Sequence, residues 1–189
     1  VSYALYFRAI MGYRKDPDFF VFIDLPNTVI EERMKYRVIC PVCHTPRNLR
    51  TLRTKEIGYD TKTKEFFLKC DTPTCKGARM GAKEGDTAGM DSIAARLKTD
   101  EQIMRDLLKL EGLPKVYVRN SVPAQEAKSK IDSYEITPGF EYELDKDGTV
   151  VVKEVPWIFK DDEGVESYSL LPAAPVLGMI KQIHKVLGL

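Results

Sequence analysis

All four cysteines of the 189-residue chain fall between Cys40 and Cys75, as Cys-Pro-Val-Cys, twenty-six intervening residues, and Cys-Asp-Thr-Pro-Thr-Cys. Two close pairs separated by a hairpin-sized insert suit a tetrahedral Zn²⁺ site, because each pair closes a short knuckle around one side of the metal. Two disulfides are the first rival arrangement. No secretory signal precedes the cysteines, and in an intracellular chain thiols stay reduced. Four unrelated buried thiols are the second rival, but chance scatters such residues along a chain. The spacing therefore predicts Zn²⁺ held by Cys40, Cys43, Cys70 and Cys75, keeping rigid a lobe too small to build a core of its own. His44, beside Cys43, is either a substitute ligand or a solvated loop histidine.

Hydrophobic residues make up 43% and charged residues 30%, the balance of a globular chain long enough for one domain plus an appendage. No run reaches the roughly 18 apolar residues of a membrane span, which predicts a soluble, cytoplasmic protein. The net charge of +1 points to no partner, yet residues 40–85 hold ten Lys or Arg against five acids, about +5, and the remainder about −4. A lobe charged in this way attracts polyanions, whether nucleotide phosphates or nucleic acid, or is simply well solvated.

Ser2 caps a helix expected to run to Met11 with Gly12 placed to end it, and Asp16-Pro17-Asp18 stops any further helical reading. Phe19 to Ile23 is a continuous apolar run between turn residues, the pattern of a strand covered on both faces in a parallel sheet. Asn27 or Thr28 is the expected cap of a helix through Lys35. Together these predict an α/β layered unit, in which ligands gather outside the carboxyl ends of the strands, here at Asp24. Beyond the cysteines a helix opens at Asp86 or Thr87 and breaks at Thr99, where Thr-Asp-Glu-Gln reads as a capping box for a second helix bearing Ile103, Leu107 and Leu108. Lys115 to Arg119 is a second strand and Ala124 to Ile131 a short helix. Phe140, Tyr142 and Leu144 alternate with acids, Asp147-Gly148 turns the chain and Val150 to Val155 returns, making a β-hairpin. Trp157, Ile158 and Phe159 are expected to press it onto the core. Pro175 opens a last helix with Val176, Ile180, Ile183 and Leu187 on one stripe and His184 at the surface.

Several of these blocks, taken in order, resemble one family. Phe-Val-Phe-Ile-Asp-Leu-Pro from Phe20, Val29 to Arg33, Tyr36 to Cys43, Cys70 to Cys75, Lys83 to Asp86, and Ser92 to Leu97 are similar to the second half of the adenylate kinase (nucleoside monophosphate kinase) family, in its long form with a zinc-bearing lid. The resemblance covers residues 19–97 and continues more faintly to Val118 and Pro123. It implies a P-loop kinase-like parallel sheet with helices, divided as a partial core (1–36), a zinc-ribbon lid (37–86), a continuation of the core (87–132), and a C-terminal hairpin and helix outside the family pattern (133–189). It also implies a monomer that transfers the γ-phosphoryl group of ATP, with Mg²⁺, to a nucleoside monophosphate such as AMP. Such chemistry rests on positioning and on cations that neutralise the spreading negative charge.

Residue by residue, the resemblance implies that Arg33, at the start of the lid, stacks on adenine, and that Arg37, just before the first knuckle, contacts phosphate. Arg96, on the helix after the lid, matches a second phosphate ligand and is the foremost catalytic candidate. Where the family has an arginine followed by paired aspartates, this chain has Lys83, Glu84 and Asp86, so that Lys83 or Arg79 takes the arginine's place. No G-x-x-x-x-G-K-S/T occurs. The resemblance places that phosphate-binding loop before Val1, which makes residues 1–189 the C-terminal portion of a kinase, inactive or nearly so alone. The rival reading, a basic zinc ribbon that binds nucleic acid, rests on the local charge and on Tyr59, Phe66 and Phe67 as stacking rings.

Overall fold

Two apolar runs far apart in sequence pair as parallel strands. Strand β1 (Phe20–Asp24) lies beside β7 (Lys115–Arg119), from Phe20 opposite Lys115 to Asp24 opposite Arg119. The computed structural model describes residues 19–83 and 85–188, with the backbone alone for Thr87, Ala88 and Ser92. The expected helix from Ser2 to Met11, its end at Gly12, the stop at Asp16-Pro17-Asp18, and Glu84 lie outside the described residues. Those residues form a mixed α/β structure with four α-helices and several small sheets, β1 and β7 being the one parallel pair. None of these helices is long and apolar enough to cross a membrane.

Strand β1 is not covered on both faces as its sequence suggests. Phe22 is buried on one face and Val116 and Val118 of β7 on the other, but Val21 and Ile23 are 39% and 63% exposed. The cause is the position of helix α4 (Ala173–Leu187), which packs over β7 and leaves the β1 half of that face open. Gln182 of α4 also closes the outer edge of β7: it accepts the Tyr117 N–H at 3.2 Å and donates to the Tyr117 carbonyl at 2.7 Å. A strand edge satisfied in this way no longer offers a template to another chain.

Helix α1 (Asn27–Lys35) begins differently from expectation. Pro26 occupies the N-cap, and neither Asn27 nor Thr28 caps with its side chain. The orphan Asn27 N–H is taken by the carboxylate of Asp162, 3.0 Å away and 135 residues on, while the Thr28 hydroxyl donates to the Lys160 carbonyl at 2.8 Å. An acid there also suits the positive end of the helix dipole. Asp162 follows β11 (Ile158–Lys160), which pairs with β12 (Glu166–Ser169), itself paired with β8 (Ser121–Pro123). Trp157 and Phe159 are buried against Val29 of α1, as the sequence suggests, whereas Ile158 faces solvent. Helix α3 (Ala124–Lys130) follows β8 and buries Ala127 against Val122 and Leu170.

The expected break at Thr99 is absent. A 3-10 stretch from Asp86 to Ser92, kinked at Gly89, leads into one continuous helix, α2 (Ala94–Leu108). Thr99 stays helical by donating its hydroxyl to the Ala95 carbonyl at 3.0 Å, a bond back along its own helix that competes with capping.

The cysteine segment folds as its own lobe. Strand β2 (Arg37–Ile39) pairs with β3 (Pro46–Asn48) and with β6 (Gly81–Ala82), and β4 (Ile57–Asp60) forms a hairpin with β5 (Glu65–Leu68). The predicted C-terminal hairpin is present as β9 (Pro138–Leu144) and β10 (Val150–Pro156). It reaches from the body to the lobe: the Phe140 N–H donates to the Arg50 carbonyl at 2.7 Å, the Tyr142 hydroxyl donates to the Leu49 carbonyl, and the rings of Tyr142 and Phe66 lie 5.7 Å apart.

Candidate functional site

The first knuckle forms where β2 ends. The Cys40 N–H donates to the Thr45 carbonyl and the His44 N–H to the Cys40 carbonyl, with His44 at φ 57°. The second is a tight turn in which the Cys75 N–H donates to the Thr72 carbonyl and the Cys70 N–H to the Ala78 carbonyl, at 2.9 Å each. The two knuckles bring the sulfurs of Cys40, Cys43, Cys70 and Cys75 within 4.8 Å of one another, and His44 is not in the group. The Sγ atoms of Cys43 and Cys70 are 3.6 Å apart, and none of the four is in a disulfide. Tetrahedral Zn²⁺ at about 2.3 Å from each sulfur needs sulfur separations of about 3.8 Å, so the cluster is compatible with zinc.

Leu68 and Met80, 0% and 3% exposed, pack against these sulfurs. The lobe therefore owns a small apolar core, more than its composition suggested. Four sulfurs this close do not all carry charge unaided. The hydroxyl and backbone of Thr45 pull Cys43 down to about 5, while burial pushes Cys75 up to about 12. A divalent cation resolves that conflict by compensating several thiolates at once.

Beside the lobe lies a cavity of about 590 Å³. Its floor is the open face noted above, Ile23 of β1 and Val118 of β7, with Asn120 just beyond the carboxyl end of β7. Arg33 enters from the last turn of α1, Arg37, Arg47 and Leu52 from the lobe, and Pro172, Val176 and Met179 from the start of α4 and the turn before it. Asn48 fixes this geometry. Buried to 8% exposure, it donates from Nδ2 to the Arg33 carbonyl at 3.1 Å and accepts the N–H groups of Arg50 and Thr51 on Oδ1, tying the lobe to the end of α1.

The candidate arginines have separate fates. Arg33 forms no ion pair among the described residues, and burial lowers its pKa. Arg37 makes a two-pronged bond with Asp86, Nε to Oδ2 and Nη2 to Oδ1, both 2.6 Å. Arg96 is 79% exposed, 3.5 Å from Asp100 on its own helix, and does not line the cavity. Lys83 is exposed as well, and Arg79 is 2.6 Å from Asp60 and lies over the Phe67 ring. Arg47, Asn48 and Asn120 were not singled out by sequence reasoning. Their side chains have no spacing signal, and only the fold brings them to one cavity.

A scan against protein-family models, a search of curated proteins and a search of solved structures each found no match. The function must be argued from the site.

The Arg37–Asp86 bond ties the two ends of the lobe together and has a pH signature. The hydrogen bond from Arg37 holds the Asp86 carboxyl below its ordinary value, against the opposing effect of burial. A depressed folded pKa means that the stability this bond contributes is fully present above the ordinary aspartate value and disappears as pH falls through the depressed one. The Arg37 Nε–H resonance is expected to stay unchanged on acidification to about pH 4 and to move only below it. A shift at higher pH would show that the bond does not hold in solution.

Proposed function

We propose that the chain is a nucleotide-binding phosphotransferase component of the adenylate kinase type, with the cysteine lobe as a zinc-bearing lid and β1 and β7 as part of a P-loop kinase-like sheet. The observation that carries this reading is the cavity toward the carboxyl ends of two parallel strands, lined by Arg33, which has no ion pair among the described residues, and by Arg37 at the root of the lobe. Ligands of open parallel sheets bind at such ends. The family resemblance implies contacts with adenine and phosphate for these two arginines, and both line the cavity.

In this reading the Arg33 guanidinium presents its flat face to adenine, a planar cation being suited to stacking on an aromatic ring. The apolar wall from Leu52 to Met179 excludes water from the base. Arg37 is released to phosphate only when its bond with Asp86 is exchanged for one with ligand. Zn²⁺ would be held by the four cysteines and would supply rigidity, not chemistry. Among the described residues no carboxylate lines the cavity to hold Mg²⁺, and Asp24 is held by the Tyr117 hydroxyl and by Arg119. No step is therefore assigned to the ion. For the nucleic-acid reading, the rings are already engaged, Tyr59 with Phe66 at 4.9 Å and Phe67 beneath Arg79 at 4.3 Å.

Calorimetric titration with ATP and with a bisubstrate dinucleotide analogue tests the proposal. Binding is expected, with Arg33→Ala weakening it by about tenfold, the worth of one desolvated cation-on-ring contact. Binding unchanged in a chain lacking Arg33, Arg37 and Arg96 together would sink it.

A further inference from the structure

The cavity contains a second unpaired cation. Arg47 sits in β3 and lines the cavity with Arg33, and its side chain makes one hydrogen bond among the described residues, from Nη1 to its neighbour's carbonyl at Pro46, 3.3 Å. A guanidinium has five N–H donors, so most of its capacity is unspent. Three other arginines of the lobe are committed to carboxylates, Arg37 to Asp86, Arg50 to Glu32 and Arg79 to Asp60, each at 2.6 Å, while Arg53 lies over the Phe140 ring, donates to the Thr54 carbonyl and does not line the cavity. Among the described residues no aspartate or glutamate lines the cavity to balance Arg33 and Arg47. Charges drawn into a partly enclosed space are held there by opposite charge, and guanidinium groups match phosphate or carboxylate oxygens in pairs. The opposite wall, Pro172, Val176 and Met179, is apolar. The complementary ligand has an apolar, flat body and an anionic end.

We propose that Arg47 is an anion-binding residue of this cavity, and that it receives the negatively charged end of a phosphorylated ligand whose flat body lies against Arg33. For the nucleotide identity of that ligand the inference rests on the reading above. The anionic chemistry stands on the cavity alone. It moves the second cation from Arg96, which is in solvent on α2, to a residue of the lobe itself.

The test measures binding of three probes to the full chain at low ionic strength: ATP, inorganic tripolyphosphate and adenosine. Arg47→Ala is expected to weaken ATP and tripolyphosphate by about tenfold, the worth of one charge-assisted hydrogen bond, and to leave adenosine unchanged. Arg47→Lys is expected to restore part of the loss. Arg105→Ala, which removes an equal charge from an exposed pair with Glu101, is expected to change nothing. Circular dichroism melts confirm that each variant is folded. ATP binding equal to wild type in folded Arg47→Ala, an equal loss for adenosine, or no binding of either anion to wild type overturns the proposal. Tripolyphosphate binding that depends on Arg47, with ATP no tighter, sustains it and overturns the nucleotide reading. ATP binding that depends on Arg33 but not on Arg47 does the reverse.

Discussion

If the four clustered cysteines hold zinc, a chelator added to the purified chain is expected to release the whole cysteine lobe from its fold while β1, β7 and the helices around them persist. Structural zinc contributes apparent folding energy on the order of 10 kcal/mol, far above what a small lobe stores in apolar contacts. The lobe has only Leu68 and Met80 fully buried beside the sulfurs, together with partly buried Val38, Leu49, Ile57 and Ala78. Hydrogen exchange gives the readout. The amides of Cys70 and Met80, bonded to the carbonyls of Ala78 and Leu68, are expected to lose protection when a chelator is added or when Cys70 is replaced by serine. Arg47 and Asn48 belong to the same lobe, so the cavity wall and its anion binding go with it. Well under one zinc per chain in protein purified without chelator, or equal protection with and without chelator, would refute the assignment.

The second large effect is expected far from the cysteine cluster. Trp157→Ala should destabilise the body by about 3–5 kcal/mol, the usual cost of deleting a buried tryptophan with incomplete collapse of the space left behind. Trp157 is 3% exposed, 5.5 Å from the Phe159 ring, and packs on Val29 of α1. The damage spreads through the next turn. Trp157 and Phe159 hold β11 in place, and β11 delivers Asp162 to the first amide of α1, the helix that carries Arg33. Ile158→Ala, at a side chain that is 45% exposed, is expected to stay within about 0.5 kcal/mol. Chemical denaturation of both variants checks the contrast, and equal midpoints would show that the extension does not support the body.

The cysteine cluster was legible because its information is local and chemical: four residues of one rare type, paired at knuckle spacing. The hairpin was legible for a similar reason, since alternation about Asp147-Gly148 sets both strands and the turn. What the sequence hid is long range. No periodicity announces that Asp162 caps a helix 135 residues earlier, and a local rule nominated Asn27 and Thr28 instead. Strand β1 read as doubly covered because apolar runs usually are, but the placement of α4 was not encoded in that run. The capping box at Thr99 failed because its hydroxyl satisfies a helical carbonyl equally well. Arg33 and Arg37, which line the cavity, were nominated by a resemblance in order and spacing, while Arg47 was one of ten basic residues in the segment with nothing to separate it from the others.

The β9–β10 hairpin changes the mechanics of the join between body and lobe. Two rigid parts meeting at a single pivot, such as the backbone at Tyr36, swing in any direction. Here there is a second fastening: the hairpin is rooted at Thr137, whose N–H donates to the Ser169 carbonyl at 2.8 Å, and at buried Trp157, and it grips Leu49, Arg50 and Phe66 at its far side. Together with the Asn48 bond to the Arg33 carbonyl and the Arg50–Glu32 ion pair, the hairpin turns a pivot into a clasp held at several separated points. Widening the gap means sliding the Tyr142 ring across Phe66 and breaking the bonds to Leu49 and Arg50.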